Sequence, residues 1–240
     1  MNKNLKLFLG SIYIFCLCAL LYIVFSYFDL KDLTSYTFIK DNSKILIDFK
    51  NTNIAFFTIV FFCFSVIWIL LLGFGSPIAI LSGFIFGQWA GTILTAVSFT
   101  IGSSLLYKIA QYYFSNFIVN NFSNRIEKYK FFFKQDELLY FFIFRLTGGA
   151  GIPFAIQNVL PVIFDMKIKN YIISTLFGLL PTIFIFNSLG SGIQILIGEN
   201  DKIDYLSLIS RAEIYLPILG FLIIIILSFF GRRYIFKEKK

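Results

Sequence analysis

Arg145 is the side chain whose type and place in this sequence most demand an explanation. It follows the apolar run Leu138–Phe144 and precedes a turn-forming stretch, Gly148–Pro153. A guanidinium stays charged at any physiological pH, so a site in an apolar segment is costly, and such groups face a cavity or a partner. No acidic residue lies between Ile54 and Phe114, and none between Leu138 and Phe164. Two readings are open. Asp136 and Glu137 stand at the mouth of the segment and could be reached by snorkelling, which makes Arg145 an interfacial, locally paired side chain. Alternatively the guanidinium awaits an anionic headgroup or phosphate, which its planar fork can hold through two parallel hydrogen bonds.

Gln157 and Asn158 follow the same turn. Amides buried in a membrane either bond one helix to another or line a cavity, and both readings apply here. The turn itself, Gly149-x-Gly151-x-Pro153, repeats an earlier one, Gly73-x-Gly75-x-Pro77, with the prolines 76 residues apart. Glycines at these points would let the backbone approach a polar ligand. Other chemistry is missing. With no His, the chain lacks the usual proton shuttle and the commonest metal ligand. Cys16, Cys18 and Cys63 sit in apolar runs without a Cys-x-x-Cys pair and read as small buried hydrophobes, so no metal site is expected. Carboxylate pairs are confined to polar loops, and nothing resembles a nucleotide loop or a catalytic triad. Neither an enzyme nor a cofactor is expected.

These residues need elements to hold them, and composition names the medium. Of 240 residues, 58% are hydrophobic, 20% aromatic and 14% charged, and 33 are Phe. A soluble domain averages about 45–50% apolar and about 25% charged. A single soluble domain is excluded. The net charge of +8 then reads as basic cytoplasmic loops rather than a nucleic-acid surface.

Four apolar blocks stand out: Leu7–Phe28, Ile54–Phe114, Leu138–Leu189 and Ile214–Phe230. The first and last have the length of single transmembrane helices, and Leu7–Phe28 is too long for a signal-peptide core and has no cleavage site. Each middle block is broken at its Gly/Pro turn. The stretches after the turns, Ile78–Trp89 and Phe154–Phe164, rise only about 17 Å as helix, roughly half the hydrocarbon core. They cannot span. Ile54–Trp89 and Leu138–Phe164 are therefore expected to dip in and return as re-entrant hairpins, with Thr92–Phe114 and Ile168–Leu189 crossing. The simpler alternative is that Gly and Pro merely kink ordinary helices.

Charge counting supports the hairpins. With both termini cytoplasmic, 14 basic and five acidic residues lie inside, six basic and eight acidic outside, and Arg145 stays in the membrane. Reading Ile54–Leu72 as a full span instead would export Arg125, Lys128, Lys130 and Lys134 and spoil the asymmetry. The mixed basic and aromatic segment Ser115–Glu137 is expected to lie on the cytoplasmic leaflet as an amphipathic element. Gly83, Gly87 and Gly91, at four-residue spacing, are expected to allow close helix packing.

The expected fold is an all-α integral membrane protein. Two units of re-entrant hairpin plus transmembrane helix are related by inversion, with flanking N- and C-terminal transmembrane helices. Residues 1–53 form the first helix and an outer surface segment, 54–192 the core, and 193–240 an outer loop, the last helix and a basic tail. Inverted units of this kind are common in secondary transporters, whose sites lie at irregular backbone near the midplane.

One ordered set of residues resembles a known family. Pro77, Gly83, Gly87, Gly91 and Gly102, then Phe144-Arg145-Leu146, Pro153-Phe154, Asn158, Asn170-Tyr171 and Leu176-x-Gly178-x-x-Pro181, are similar to the DedA/VTT-domain family, also called the SNARE-associated Golgi protein domain. The resemblance covers about Gly73–Gly192 and is closest to bacterial relatives of the Golgi and endoplasmic-reticulum members. It implies two opposed re-entrant hairpins. It also implies phospholipid scrambling, as in eukaryotic members, or recycling of a polyprenyl phosphate, as in some bacterial ones. The chain departs from the family in carrying Thr147-Gly148-Gly149 where proline often follows the Arg, and in lacking carboxylates in the first hairpin. The second departure favours passive translocation over proton coupling.

The expected function is translocation or scrambling of a phospholipid or polyprenyl-phosphate headgroup across a bacterial inner membrane. Membrane lipids with anionic headgroups are the expected partners, without nucleic acid; a homo-oligomer is compatible. The expected binding residues are Arg145, Gln157, Asn158, Gly73, Gly75, Pro77, Gly149, Gly151 and Pro153. A transporter of a small anionic solute and a non-transporting envelope scaffold are the alternatives.

Overall fold

A computed structural model describes residues 52–199 continuously and scattered single positions on either side. The expected terminal helices Leu7–Phe28 and Ile214–Phe230, the outer segment Asp29–Asn53 and the basic tail lie almost wholly outside the described residues. Among the described residues the chain is helical, without strands.

The run Ile54–Leu70 contains neither Gly nor Pro and forms α1. It stops at Leu72, whose φ is 63°, and the Trp68 indole closes the turn by donating to the Phe74 carbonyl at 3.0 Å. Helix α2, Gly75–Phe86, carries Pro77 in its first turn, where a missing N–H costs nothing. Phe57 and Phe61 of α1 pack on Phe86 at the far end of α2 (6.0 and 5.2 Å between centroids), so the chain doubles back.

Helix α3 runs from Gln88 to Gln135. The expectation of a crossing helix followed by a separate surface element is corrected here: no Gly or Pro lies between Gly102 and Asp136, so nothing in the chain stops the helix. It is nevertheless not straight. A straight helix would put residues 107 and 133 about 39 Å apart. Ring contacts instead link Tyr107 to Tyr171, Tyr171 to Phe141, and Phe141 to Phe133 in steps of 4.6, 5.3 and 6.4 Å. The helix therefore bends sharply between these residues.

Helix α4, Glu137–Leu146, begins at Asp136, whose Oδ1 accepts the Leu139 N–H at 3.0 Å. A 3-10 turn at Gly148–Gly151 leads to α5, Phe154–Val159. The expected single stretch Phe154–Phe164 is divided, because Pro161 offers no N–H and Leu160–Phe164 continues as 3-10 helix. Glu137 at the start of α4 accepts from the Lys167 N–H and Asn170 Nδ2 (3.2 and 2.6 Å), so this unit also doubles back. Helix α6, Ile168–Glu199, runs ten residues past the expected Leu189. Gln88–Ser115 and Ile168–Ile195 are long and apolar enough to cross a membrane; the other apolar helices are shorter.

The two doubled-back units exchange partners. Helix α1 packs on α3 and α4 on α6, whereas α2 packs chiefly on α6, and α5 with the following 3-10 helix packs on α3. Gly83 and Gly190 make the α2–α6 crossing: a Cβ on Gly83 would meet the Asn187 backbone, and one on Gly190 the Ile80 carbonyl. Gly91 likewise abuts Asn187 and Ser82. Gly87 departs from the expected packing role. It ends α2 with a φ of 80°, and a Cβ there would meet nothing. Cys63 is exposed on α1 rather than buried.

Candidate functional site

Arg145 occupies the last turn of α4 and is 0% exposed. Its Nη2 donates to Asn158 Oδ1 at 2.7 Å and to the Tyr171 hydroxyl at 3.1 Å, and its Nη1 to Gln157 Oε1 at 3.3 Å. Three rings surround the guanidinium: Phe141, Phe154 and Tyr171, with centroids 4.9, 5.5 and 5.8 Å away. The arm fits against α6 only because Gly178 has no side chain; a Cβ there would lie 2.5 Å from the Arg145 Cβ. Tyr171 is held in turn. Its hydroxyl lies within hydrogen-bonding distance of the Ser103 and Asn158 carbonyls, and its ring stacks on Tyr107, whose hydroxyl donates to the Met166 carbonyl at 2.6 Å.

All of these acceptors are neutral. Asp136 caps α4 and Glu137 is engaged with Lys167 and Asn170, so the reading of Arg145 as a locally paired interfacial side chain is overturned. Two donor groups at the site have no partner among the described residues: Arg145 Nε and Asn158 Nδ2. The site is thus a buried cation ringed by neutral oxygens, with two polar donor groups unsatisfied among the described residues.

Gln157 ties this cation to the turn. While its carbonyl accepts from Arg145, its amide donates to the Gly148 and Ile152 carbonyls at 3.2 and 2.7 Å. Gly149 makes room for it: its φ is 71°, and a Cβ there would collide with the Gln157 side chain. Gly149→Ala is therefore expected to cost about 2–3 kcal/mol, from left-handed strain plus the collision. Adding Gln157→Ala should remove the collision but not the strain, so a double-mutant cycle in detergent unfolding should show at least about 1 kcal/mol of coupling. Simple additivity would refute the contact.

The sequence-selected residues divide. Arg145, Gln157 and Asn158 meet. Pro153 stands just before α5, and Gly149 and Gly151 form the turn beside it. Gly75 reaches the site from the other unit: its Cα hydrogens face Phe99 and Phe154, so the tips of the two units touch near Phe99. Gly73 is instead filled by the Trp68 ring, and Pro77 lies inside α2. Residue-by-residue reasoning missed Tyr171 and Gly178 as parts of the site. Their signal was a stripe of Tyr171, Ser174, Thr175 and Gly178 at helical spacing on an apolar span.

A longer correspondence runs through the contacts. Gly102 and Gly178 are 76 residues apart, as are Ile69 and Arg145. A Cβ on Gly102 would meet the Ile69 Cβ, just as one on Gly178 would meet the Arg145 Cβ. The same offset relates Ser82 to Asn158 and Thr95 to Tyr171, all buried.

Comparison with known proteins agrees with this region. The family model described as "VTT domain" matches residues 73–192. A "Transmembrane protein 41 homolog" from Dictyostelium discoideum is 28% identical over 181 residues, covering 72% of this chain and 53% of that protein. One from Caenorhabditis elegans is 24% identical over 161 residues, covering 65% of this chain and 64% of that protein. The chain thus matches between about half and under two thirds of these relatives' length. No solved structure matches.

Proposed function

The chain belongs to the VTT-domain family of membrane proteins, and on that premise we propose that it moves the phosphate-bearing headgroup of a lipid across the bilayer. The observation that carries this reading is the fully buried guanidinium of Arg145, partnered by neutral groups only and with Nε left over. A scaffold gains nothing from such a charge, which is costly in a membrane and marks pathways. The site lies where two Gly-rich tips touch, the kind of irregular backbone that a membrane tolerates only inside protein or beside water.

In this reading the doubled-back units are re-entrant hairpins related by inversion. Their exchanged packing, the 76-residue correspondence of contacts and the meeting of their tips near Phe99 support it. The acyl chains stay in lipid while the tips part, and Arg145 holds the phosphate as Asn158 and Gln157 supply further hydrogen bonds. Gly75 and Gly151 let backbone approach the headgroup and Gly149 seats Gln157; Gly73, Pro77 and Pro153 shape the turns. No carboxylate lies between Ile54 and Gln135 except Glu127, which favours passive movement. We place it in a bacterial inner membrane, as the family resemblance implies, with cytoplasmic termini, which the excess of Lys and Arg on that side favours.

The test is reconstitution of the full chain in vesicles with labelled phosphatidylglycerol, phosphatidylcholine and a polyprenyl phosphate. Accelerated flip of phosphate-bearing lipids over protein-free vesicles is expected. Failure with every headgroup, alongside uptake of a soluble anion, would replace the proposal with the solute-transporter alternative.

A further inference from the structure

A second feature of the structure lies outside the Arg145 site. Between α3 and α6, the two described helices of spanning length, runs a groove of about 260 Å³ lined by Thr100, Ile101, Ser104, Leu105, Lys108, Ile168 and Ile172. Its wall is apolar although it contains two hydroxyls. Thr100 Oγ1 donates to the Ala96 carbonyl at 2.7 Å and Ser104 Oγ to the Thr100 carbonyl at 2.6 Å, so both are satisfied within their own helix. Ile101, Leu105 and Ile172 are exposed along it, which in a membrane means exposed to acyl chains.

One end of the groove is charged. Lys108 is exposed, and its hydrogen bond among the described residues is to the neutral Gln111 Oε1 at 3.3 Å. Gln111 in turn bonds Asp165 at 2.7 Å, which fixes this turn of α3 to the polar loop before α6. The groove therefore runs along the apolar spans and ends on an ammonium group beside this polar loop.

We propose that this groove binds one anionic phospholipid, an acyl chain lying between α3 and α6 and the phosphate at Lys108. The occupant is a lipid, because the trough is apolar, lies between the two helices of spanning length and has nothing to offer a free phosphate. It is anionic, because the charged side chain of the lining is Lys108, while the nearby Asp165 is outside the lining and held by Gln111. The position also has a consequence. Ser103 and Tyr171, neighbours of the groove residues Ser104 and Ile172, belong to the network that holds Arg145, so the bound lipid waits beside the buried site rather than in it.

The test uses the full chain in nanodiscs, with Cys16, Cys18 and Cys63 replaced by Ala and a bimane fluorophore on Ile101→Cys at the groove rim. Quenching is titrated with chain-nitroxide phosphatidylglycerol and phosphatidylcholine. The anionic lipid should quench at about fivefold lower mole fraction, the scale expected of one lysine at the membrane surface. Lys108→Gln should bring the two lipids together, whereas Lys169→Gln, an exposed lysine outside the groove lining, should keep the preference. Equal quenching in the parent, persistence in Lys108→Gln, or equal loss in both variants would overturn the proposal. None of these outcomes depends on whether lipid is translocated.

Discussion

Arg145→Met should reduce lipid translocation about tenfold or more while leaving the protein folded, with stability within about 1 kcal/mol of the parent or above it. The first half follows from losing a charge-assisted hydrogen bond to phosphate, worth about 1.5–3 kcal/mol, or roughly ten- to a hundredfold. The second half comes from two opposed costs. Removing the guanidinium deprives Gln157 Oε1, Asn158 Oδ1 and the Tyr171 hydroxyl of a donor, at about 1–3 kcal/mol for each group left unsatisfied. Against this, a buried charge without a counter-ion no longer needs desolvating, a penalty of several kcal/mol in real proteins. Met fills similar space along Phe141 and Phe154, so the packing loss is small. Vesicle flip assays paired with thermal unfolding of the same samples decide the matter. Loss of activity with loss of the fold would make Arg145 a structural cation, and undiminished flip in vesicles carrying the Arg145→Met variant would remove it from the path. Arg145→Lys separates charge from geometry. A compact ammonium cannot serve three acceptors through a planar fork, so intermediate activity is expected.

Much of this arrangement was legible in the sequence, for physical reasons. Gly-x-Gly-x-Pro prescribes a break wherever it occurs, and an apolar stretch of eleven or twelve residues is too short to span in any context. Arg145 announced itself through the missing carboxylates. What the sequence left dark was the identity of its neighbours. Tyr171 lies 26 residues away and is itself held by Ser103, 68 residues further back; no periodicity within one helix encodes such a meeting. Asp136 and Glu137 were near in sequence and proved to be engaged elsewhere, one capping a helix and the other pinning the start of α6. The bend of α3 was invisible for a related reason, since rings packed at either end reveal it and no Gly or Pro marks it. Gly87 illustrates the limit of spacing arguments. The four-residue rhythm of Gly83, Gly87 and Gly91 looks like one helix face, yet the helix ends at Phe86 and Gly87 supplies the left-handed turn.

Placing an Arg in the equivalent slot of the first unit should have the opposite outcome to removing it from the second. Ile69 is 0% exposed and faces Gly102 as Arg145 faces Gly178. The groups that receive Arg145 have no equivalents there. In place of Asn158 stands Ser82, whose hydroxyl already donates to the Gly91 carbonyl at 3.1 Å, and in place of Tyr171 stands the shorter Thr95. An arginine at position 69 would have neither amide carbonyl nor phenol waiting for it. Ile69→Arg is therefore expected to destabilise the protein by about 3–5 kcal/mol, the range for an uncompensated buried charge, and to lower its yield in the membrane. Ile69→Met controls for volume and should cost less than about 1.5 kcal/mol. Detergent unfolding and quantitative membrane expression measure both. If Ile69→Arg matched the parent, either slot could host a cation, and the polar cage around Arg145 would be unnecessary for carrying one. If it fails while Arg145→Met folds, one unit of the repeat is built to exclude a charge and the other to hold one. On the proposed function, such a division would put the headgroup's polar contact in the second unit alone, with the first as the apolar wall against which the second presents its cation.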